Sequence, residues 1–501
     1  MNKLAVFELG VNDIKLTIYK YTNSAFFTTE QQIVEPVSLT QDMERDGYIK
    51  PARIQETISI LKNYRKIVDA EKIENMICYT TPAISEARNQ IAFLDEIYKT
   101  VSLYFKILTS EEQIAALHNV VLYSFAMTKG VVFQIGDYST QIVRFNRRVI
   151  TNSVSLPIGT VNLLSKVENC SMAERMDKVV QMVTSEFKKL DWLYNLEEDC
   201  DFIGVGEVFD ALGKLGRKST RYPLDVAHNY EITTEIFQNV YNLIRGLDLD
   251  KAKKLKGISE KRADVIAIGL ACVKAIFNEC IRSDIKVSAN GEMYGIVAKN
   301  LLGATGEKPL LDILGYSLSS INEFFPTGIN MDTNYALAVV LYKQLKVLHK
   351  LNRPYVKVLR IAASLCMAGK RISFENYQKN NFHVILNSNI YGATHKEIIL
   401  AAFVASSQNI DEFSLADWVR FKDIVNDEDL DAVKKLAVII KLATKMNITN
   451  SGAIKDVACD VLGDTVILKT EVEKDATLEI SQAMSVSNDF KKIYGKNLQI
   501  L

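Results

Sequence analysis

Two short glycine-containing turns carry the side chains in this sequence best suited to anion chemistry. The first is Glu8-Leu9-Gly10-Val11-Asn12-Asp13, and the second is Gln134-Ile135-Gly136-Asp137-Tyr138-Ser139-Thr140. Backbone N–H groups of a tight glycine turn converge on one point and can hold a phosphate. Asn12, Ser139 and Thr140 add side-chain groups that can contact the same anion, and Glu8 is a candidate metal or phosphate-loop carboxylate. Asn, Ser and Thr are also ordinary turn formers, so the ligand reading and the local-turn reading both stay open. Asp137 reads as a solvated turn residue, with a possible share in any metal site. Gly10, Gly136 and Gly159 serve tight turns under either reading. Glu111 and Glu112 follow Ser110 at the start of a helical pattern, where acids favour a helix N-terminus.

Both turns sit in the same local frame. Leu4-Ala5-Val6-Phe7 reads as a strand before the first turn and Ile14 to Tyr19 as the returning strand; Val131-Val132-Phe133 and Gln141 to Phe145 repeat the pattern around the second. Between them the spacing predicts a helix over Ala52 to Val68, a strand at Met76 to Thr80, a helix from Pro82 that includes Ile84, Ala87 and Ile91, and a strand at Phe105 to Leu108. A hairpin followed by alternating β and α elements predicts a mixed sheet with helices on its faces. Its duplication is what an α/β, actin-like fold requires (the ASKHA, ribonuclease H-like architecture), in which two turns face each other across a cleft. Beyond about residue 310 helical patterns dominate, as at Tyr335 to Leu351, Val356 to Met367 and Ala432 to Met446, with one late strand at Thr465 to Thr470. The expected domains are 1–125 and 126–310 for the two lobes and 311–501 for an all-α C-terminal region.

Lys and Arg together number 60, as do Asp and Glu, so the formal charge is zero, which argues against a general nucleic-acid binder. No apolar run is long enough to span a membrane. The first residues read as a strand and not as a signal peptide. The 7 cysteines form no CxxC pair, which suits reduced thiols and a cytoplasmic location. His118 and His383 fall in apolar helical patterns and are expected to be packed, and Arg144 to Arg148 reads as a solvated hairpin tip.

An ordered series of segments resembles the Ppx/GppA family of exopolyphosphatases and guanosine-pentaphosphate phosphohydrolases. Ala5 to Leu16 resembles the family's first phosphate loop, DIGSNSxRL, and Gln134 to Gln141 its second, DIGGGSTE. Thr81 to Asn89 is similar to TSAxRxAxN, Leu108 to Gln113 to ISGEEEA, Ser155 to Val161 to SLPLGAV, and Ser259 to Ile266 to SPERADVI. Further on, Ala362 to Gly369 resembles the AAxLHDIG segment of an HD-like helical domain, and Ile440 to Ala443 its LRLAD helix.

The resemblance also locates departures. It places Glu8 and Gln134 on the two loop acids, so a Mg²⁺ ion held there is weakly bound at best. It places Gln113 on the catalytic glutamate, with Glu112 beside it as a possible substitute base, and Ser85 on a phosphate-contacting arginine. Glu207 falls in a Gly-Gly-Thr turn and Met293 on the arginine of a GLREG segment, while the HD metal positions fall on Cys366, Met367, Asn380 and Thr444. An amide cannot accept a proton from water near neutral pH. The expectation is therefore an exopolyphosphatase-like protein with strongly reduced or no turnover that senses polyphosphate or pppGpp, or binds a protein partner. The other reading is an active hydrolase that releases terminal phosphate with Mg²⁺. A homodimer through the helical region is compatible with either.

Overall fold

The computed structural model describes all residues except 40–42, 44–46, 168–169, 281–283, 305–309, 327–329 and 408–413. The chain forms two compact units, Met1–Gly216 with Glu231–Leu311, and Arg217–Tyr230 with Asp312–Leu501.

The first unit is built from two sheets of matching topology. One contains β1 (Asn2–Leu9), β2 (Asp13–Tyr21), β3 (Phe27–Pro36), β4 (Asn75–Thr80) and β5 (Lys106–Ile107), in the order β3-β2-β1-β4-β5. The other contains β6 (Lys129–Ile135), β7 (Thr140–Asn146), β8 (Val149–Leu156), β9 (Asp201–Val205), β10 (Tyr230–Thr233) and β11 (Asp284–Val287), in the order β10-β11-β9-β6-β7-β8. In each, the first strand pairs antiparallel with the second and parallel with the fourth, β4 or β9. β1 is apolar on both faces because helices cover both sides of it, whereas β3 is an edge strand and its polar residues blunt that edge. The β1–β2 register sets Glu8 opposite Lys15.

Two helices fix where the turns lie. Ser110–Ser124 covers the second sheet, with Leu117, Val120 and Val121 packed on Val132, Val143 and Ile203. Glu292–Ala304 covers the first, where Val297 packs on Leu4, Val6 and Tyr19. The helices cross at Gly295, whose missing Cβ would overlap the carbonyl oxygen of Ala116.

Several local expectations change. Pro82 opens only a short 3₁₀ turn, Pro82–Glu86; Ala87 is extended and the helix begins again at Gln90–Val101, which leaves Ile91 exposed. The N-cap of the next helix is Thr109, one residue earlier than the reading from Ser110. Arg148 is not a solvated tip residue: it donates to the carbonyls of Leu122 and Leu310, which ties the β7–β8 turn to the C-terminal end of Ser110–Ser124. His118 is packed and burial pushes it down to about 4, but His383 is exposed.

The second unit gathers helices Met331–Gln344, Tyr355–Leu365, Tyr377–Asn387, His395–Ser406 and Asp427–Met446 around one core that includes Phe403, Phe421 and Leu436. The all-α expectation needs one correction. β12 (Ile454–Leu462), β13 (Thr465–Val472) and β14 (Asn497–Ile500) form a three-stranded sheet, whose Val457, Val466 and Leu468 join the helical core. Only β13 had a clear alternating signal.

The Gly295 crossing gives a paired test. Gly295→Ala should lower stability by about 1–3 kcal/mol, the usual cost of overpacking. Gly303→Ala, in the same helix with open space around it, should be neutral or stabilise by up to about 1 kcal/mol. Urea unfolding of the two variants checks the contrast.

Candidate functional site

The β1–β2 and β6–β7 turns are closed by the same hydrogen bond. Gly10 N–H donates to the Asp13 carbonyl and Gly136 N–H to the Ser139 carbonyl, each at 2.9 Å. These two N–H groups are thus used within their own turns. The second turn is braced from outside by Thr160 N–H on the Gly136 carbonyl and Val161 N–H on the Asp137 carbonyl, both at 2.9 Å. Gly159 lets that segment lie so close, because a Cβ there would overlap the backbone of Asp137 and Tyr138. Both turns line one cavity of about 700 Å³.

Asp137 is the polar centre of this cavity. Its carboxylate accepts from Asn12 Nδ2 at 2.6 Å, from Thr160 Oγ1 at 3.2 Å and from Arg262 at 2.7 Å. The Asn12 bond joins the two turns directly. Arg262 also grips Glu207 at 2.7 Å. Asp137 is therefore an anchored carboxylate and not the solvated turn residue expected from sequence. Glu207, placed by resemblance against bound phosphate, is instead half of a bridge to Arg262.

A second polar group lies beside Glu8. Helix Glu292–Ala304 presents its first residue to the cavity, and Gln134 Nε2 donates to Glu292 Oε2 at 3.4 Å. Burial raises the Glu292 carboxyl from its ordinary 4.5 to about 7, and the charge of Glu8 adds to the rise; the side-chain amides of Gln134 and Gln113 oppose it. Gln113 is buried, and its Oε1 accepts from Gln141 Nε2 at 3.2 Å. Gln113 and Glu292 each precede the Gly295–Ala116 contact by one helical turn, and this brings them to the same cavity. Glu8 lies 3.6 Å from Lys15 and, as the largest influence, keeps that ammonium protonated.

The other expected residues separate into two groups. Ser85 lines the cavity, with its hydroxyl donating to the Pro82 carbonyl, and Ser139 lines it while accepting from Gln141 at 2.8 Å. Thr140 is buried and donates to the Ile158 carbonyl at 2.7 Å, so it braces the turn instead of facing a ligand. Glu112 is not in the cavity. It closes a capping box with Thr109 and pairs with Lys106, which pulls its carboxyl below the usual range. The proposed substitute base is therefore a helix cap. The residue that sequence reading missed is Glu292. In the GLREG resemblance Glu292 stands beside the arginine position at Met293, where no acid is expected. Met293 itself packs in the apolar cluster around Leu4 and Val6.

Mg²⁺ is the metal that the resemblance implies. Gln134 Oε1 and Glu292 Oε1 are shielded from solvent and lack hydrogen-bond partners among the described residues. Uncompensated oxygens beside the Glu8 carboxylate suit a hard cation, so the residues fit such an ion. No set of three or more His, Cys, Asp or Glu side chains able to hold a metal occurs among the described residues. In the second unit Cys366 is buried, its Sγ 3.9 Å from Thr444 Oγ1, and burial pushes its thiol up to about 11.

Known proteins agree with this architecture. A curated bifunctional 3-dehydroquinate synthase/phosphatase of Fusobacterium nucleatum is 26% identical over 313 residues, 59% of this chain and 46% of that protein. The chain thus spans less than half the length of this relative. The crystal structure of an Aquifex aeolicus Ppx/GppA family member aligns over 60% of this chain and 98% of its own, at TM-score 0.53 and 23% identity. An exopolyphosphatase from Cytophaga hutchinsonii aligns over the same shares at TM-score 0.55 and 20% identity. These structures share the actin-like fold. The Ppx/GppA phosphatase family model matches residues 17–303, more than half of the sequence. A doubled sheet, two glycine turns on one cavity and that match together mean that the chain belongs to the Ppx/GppA phosphatase family.

Proposed function

We propose that the cavity is a phosphoanhydride-hydrolysing site of the exopolyphosphatase type with its proton acceptor relocated to Glu292. The observation that carries this reading is a carboxyl group raised to about 7, facing the cavity beside Glu8 and in contact with the amide of Gln134. A general base works best with a pKa near the operating pH. Gln113, where the family resemblance expects the base, is next to this carboxyl, so proton acceptance is shifted across the helix crossing. The substrate would be the terminal phosphate of polyphosphate or of a guanosine polyphosphate. Glu292 takes a proton from water, the water oxygen bonds to the terminal phosphorus, and the shortened chain leaves with the electron pair of the broken P–O bond. Glu8 and the Gln134 amide oxygen would hold Mg²⁺. When bound, the metal polarises the phosphoryl group and offsets its charge.

The cavity's own charge makes the metal matter. Six carboxylates line it, from Glu8, Asp13, Glu86, Asp137, Glu207 and Glu292, against the two cations Lys15 and Arg262. Arg262 is already held by Asp137 and Glu207. A bare polyanion is repelled here, and without a counter-cation this favours the second reading in its other form, a protein that binds a partner with little turnover. Phosphate release from polyphosphate separates the two.

The wild-type chain should release phosphate only with Mg²⁺, and Glu292→Gln should lower the rate by about 10²- to 10⁴-fold. Glu112→Gln should leave it unchanged. If wild type releases none, only the binding reading survives. The rate should also rise with pH as Glu292 ionises, with the inflection below the metal-free value of about 7 because a cation bound beside Glu8 and Gln134 favours the carboxylate.

A stability measurement tests the carboxyl independently of turnover. Between its ordinary 4.5 and the folded value near 7, the folded chain holds a proton that the unfolded chain has lost. The associated stability is complete below 4.5 and is lost as pH rises through 7. Glu292→Gln has no such loss. From pH 5 to pH 8 its stability relative to wild type should therefore increase by on the order of 1–3 kcal/mol, read from urea midpoints at the two pH values.

A further inference from the structure

The C-terminal unit contains a second cavity, of about 620 Å³, whose described lining carries more lysines than acids, the reverse of the first. Four lysines line it: Lys370 from the turn Ala368–Arg371, Lys379 from helix Tyr377–Asn387, and Lys441 and Lys445 from helix Asp427–Met446. Among the described residues, Asp417 is the single carboxylate in its lining. Lys441 and Lys445 are one helical turn apart, a spacing at which like charges repel. Lys441 is held by Asp489 at 2.6 Å and Lys445 by the uncharged Gln482 at 3.0 Å. This concentration of positive charge around a concave surface favours an anion.

Aromatic rings form the rest of the lining. Tyr377, Phe382 and Phe403 all contribute, and Lys370 Nζ lies 4.9 Å from the centre of the Tyr377 ring. The ammonium thus lies over one face of the Tyr377 ring, a cation–π contact. Ring faces of this kind stack on nucleobases. The volume falls in the range of small-ligand sites, about 300–1,000 Å³, which suits a mononucleotide better than a long chain. Met367 and Thr444 also line the cavity. They occupy positions at which the family resemblance expects metal ligands, and an uncharged Met and Thr add no negative charge to that of Asp417 and Asp489.

We propose that this cavity binds a nucleoside phosphate, with its phosphates on the lysines and its base against Tyr377 and Phe382. The test is calorimetric titration of the full chain, in the presence of a chelator, with GDP, ADP, inorganic pyrophosphate and guanosine. At least one nucleotide should bind in the micromolar range, pyrophosphate about tenfold or more weakly, and guanosine not measurably. Lys370→Ala with Lys379→Ala should weaken nucleotide binding about tenfold or more, whereas Lys15→Ala in the first cavity should not change it. Hydrogen exchange on the wild-type chain gives a second measure that does not depend on variants folding: nucleotide should protect residues 367–383 and 441–448. The proposal is overturned if neither nucleotide binds by about 1 mM, if pyrophosphate binds as tightly, or if sensitivity and protection follow the first cavity.

Discussion

At Gly295 the helices Glu292–Ala304 and Ser110–Ser124 meet through their backbones, and the geometry of the first unit depends on that contact. One helix is packed on β1 and β2, the other on β6, β7 and β9. With no side chain between them at Gly295, their separation is set by backbone packing. Each sheet therefore delivers its glycine turn to a fixed place, and residues one turn before the contact share a cavity. Interiors packed at near-crystalline density transmit a displacement instead of absorbing it. A side chain added at the crossing would therefore be felt at Gln113 and Glu292.

The electrostatics of the cavity follow from this arrangement. A carboxylate removed from water next to another carboxylate favours its protonated form, and Glu292 is in that position beside Glu8. Amides at 113 and 134 moderate the effect, because they donate to the carboxyl or lie beside it without adding charge. Acids at those positions would have placed more negative charge in the same small volume. The two glutamines, which look like losses when each is compared with the family pattern alone, are compatible partners for a single titrating carboxyl. Asp137 plays the complementary role: Asn12, Thr160 and Arg262 all converge on it, so it ties the two turns and the helical segment of Arg262 together.

The two units differ in what surrounds their cavities. The first is lined mainly by acids. The second is basic and flanked by aromatic rings. The formal charge of the whole chain is zero, so this contrast comes entirely from placement. Composition argued against a general nucleic-acid binder and was silent about how charge is placed locally.

Much of the fold was legible because its signals are short in range. Strand alternation in β1, β2, β6 and β7, the glycine turns, and the helix start near Thr109 each depend on a few neighbouring residues. The duplicated hairpin extended those signals to an architecture. Where local signals were weak or ambiguous, the reading failed: the 3₁₀ turn at Pro82 carries apolar residues at helical spacing, and β12 and β14 show little alternation. The site was harder to read for a different reason. Glu292 acquires its properties from burial first, then from the charge of Glu8 on the first sheet, with Gln134, 158 residues away, opposing the rise. Glu112 and Gln113 are neighbours in sequence, but one caps a helix at the surface and the other is buried. By itself the sequence determined which segments become strands, turns and helices, since those preferences act over a few residues. Tertiary structure alone decided which carboxyls line the cavity and how readily Glu292 ionises, because desolvation and charge coupling depend on distance in space.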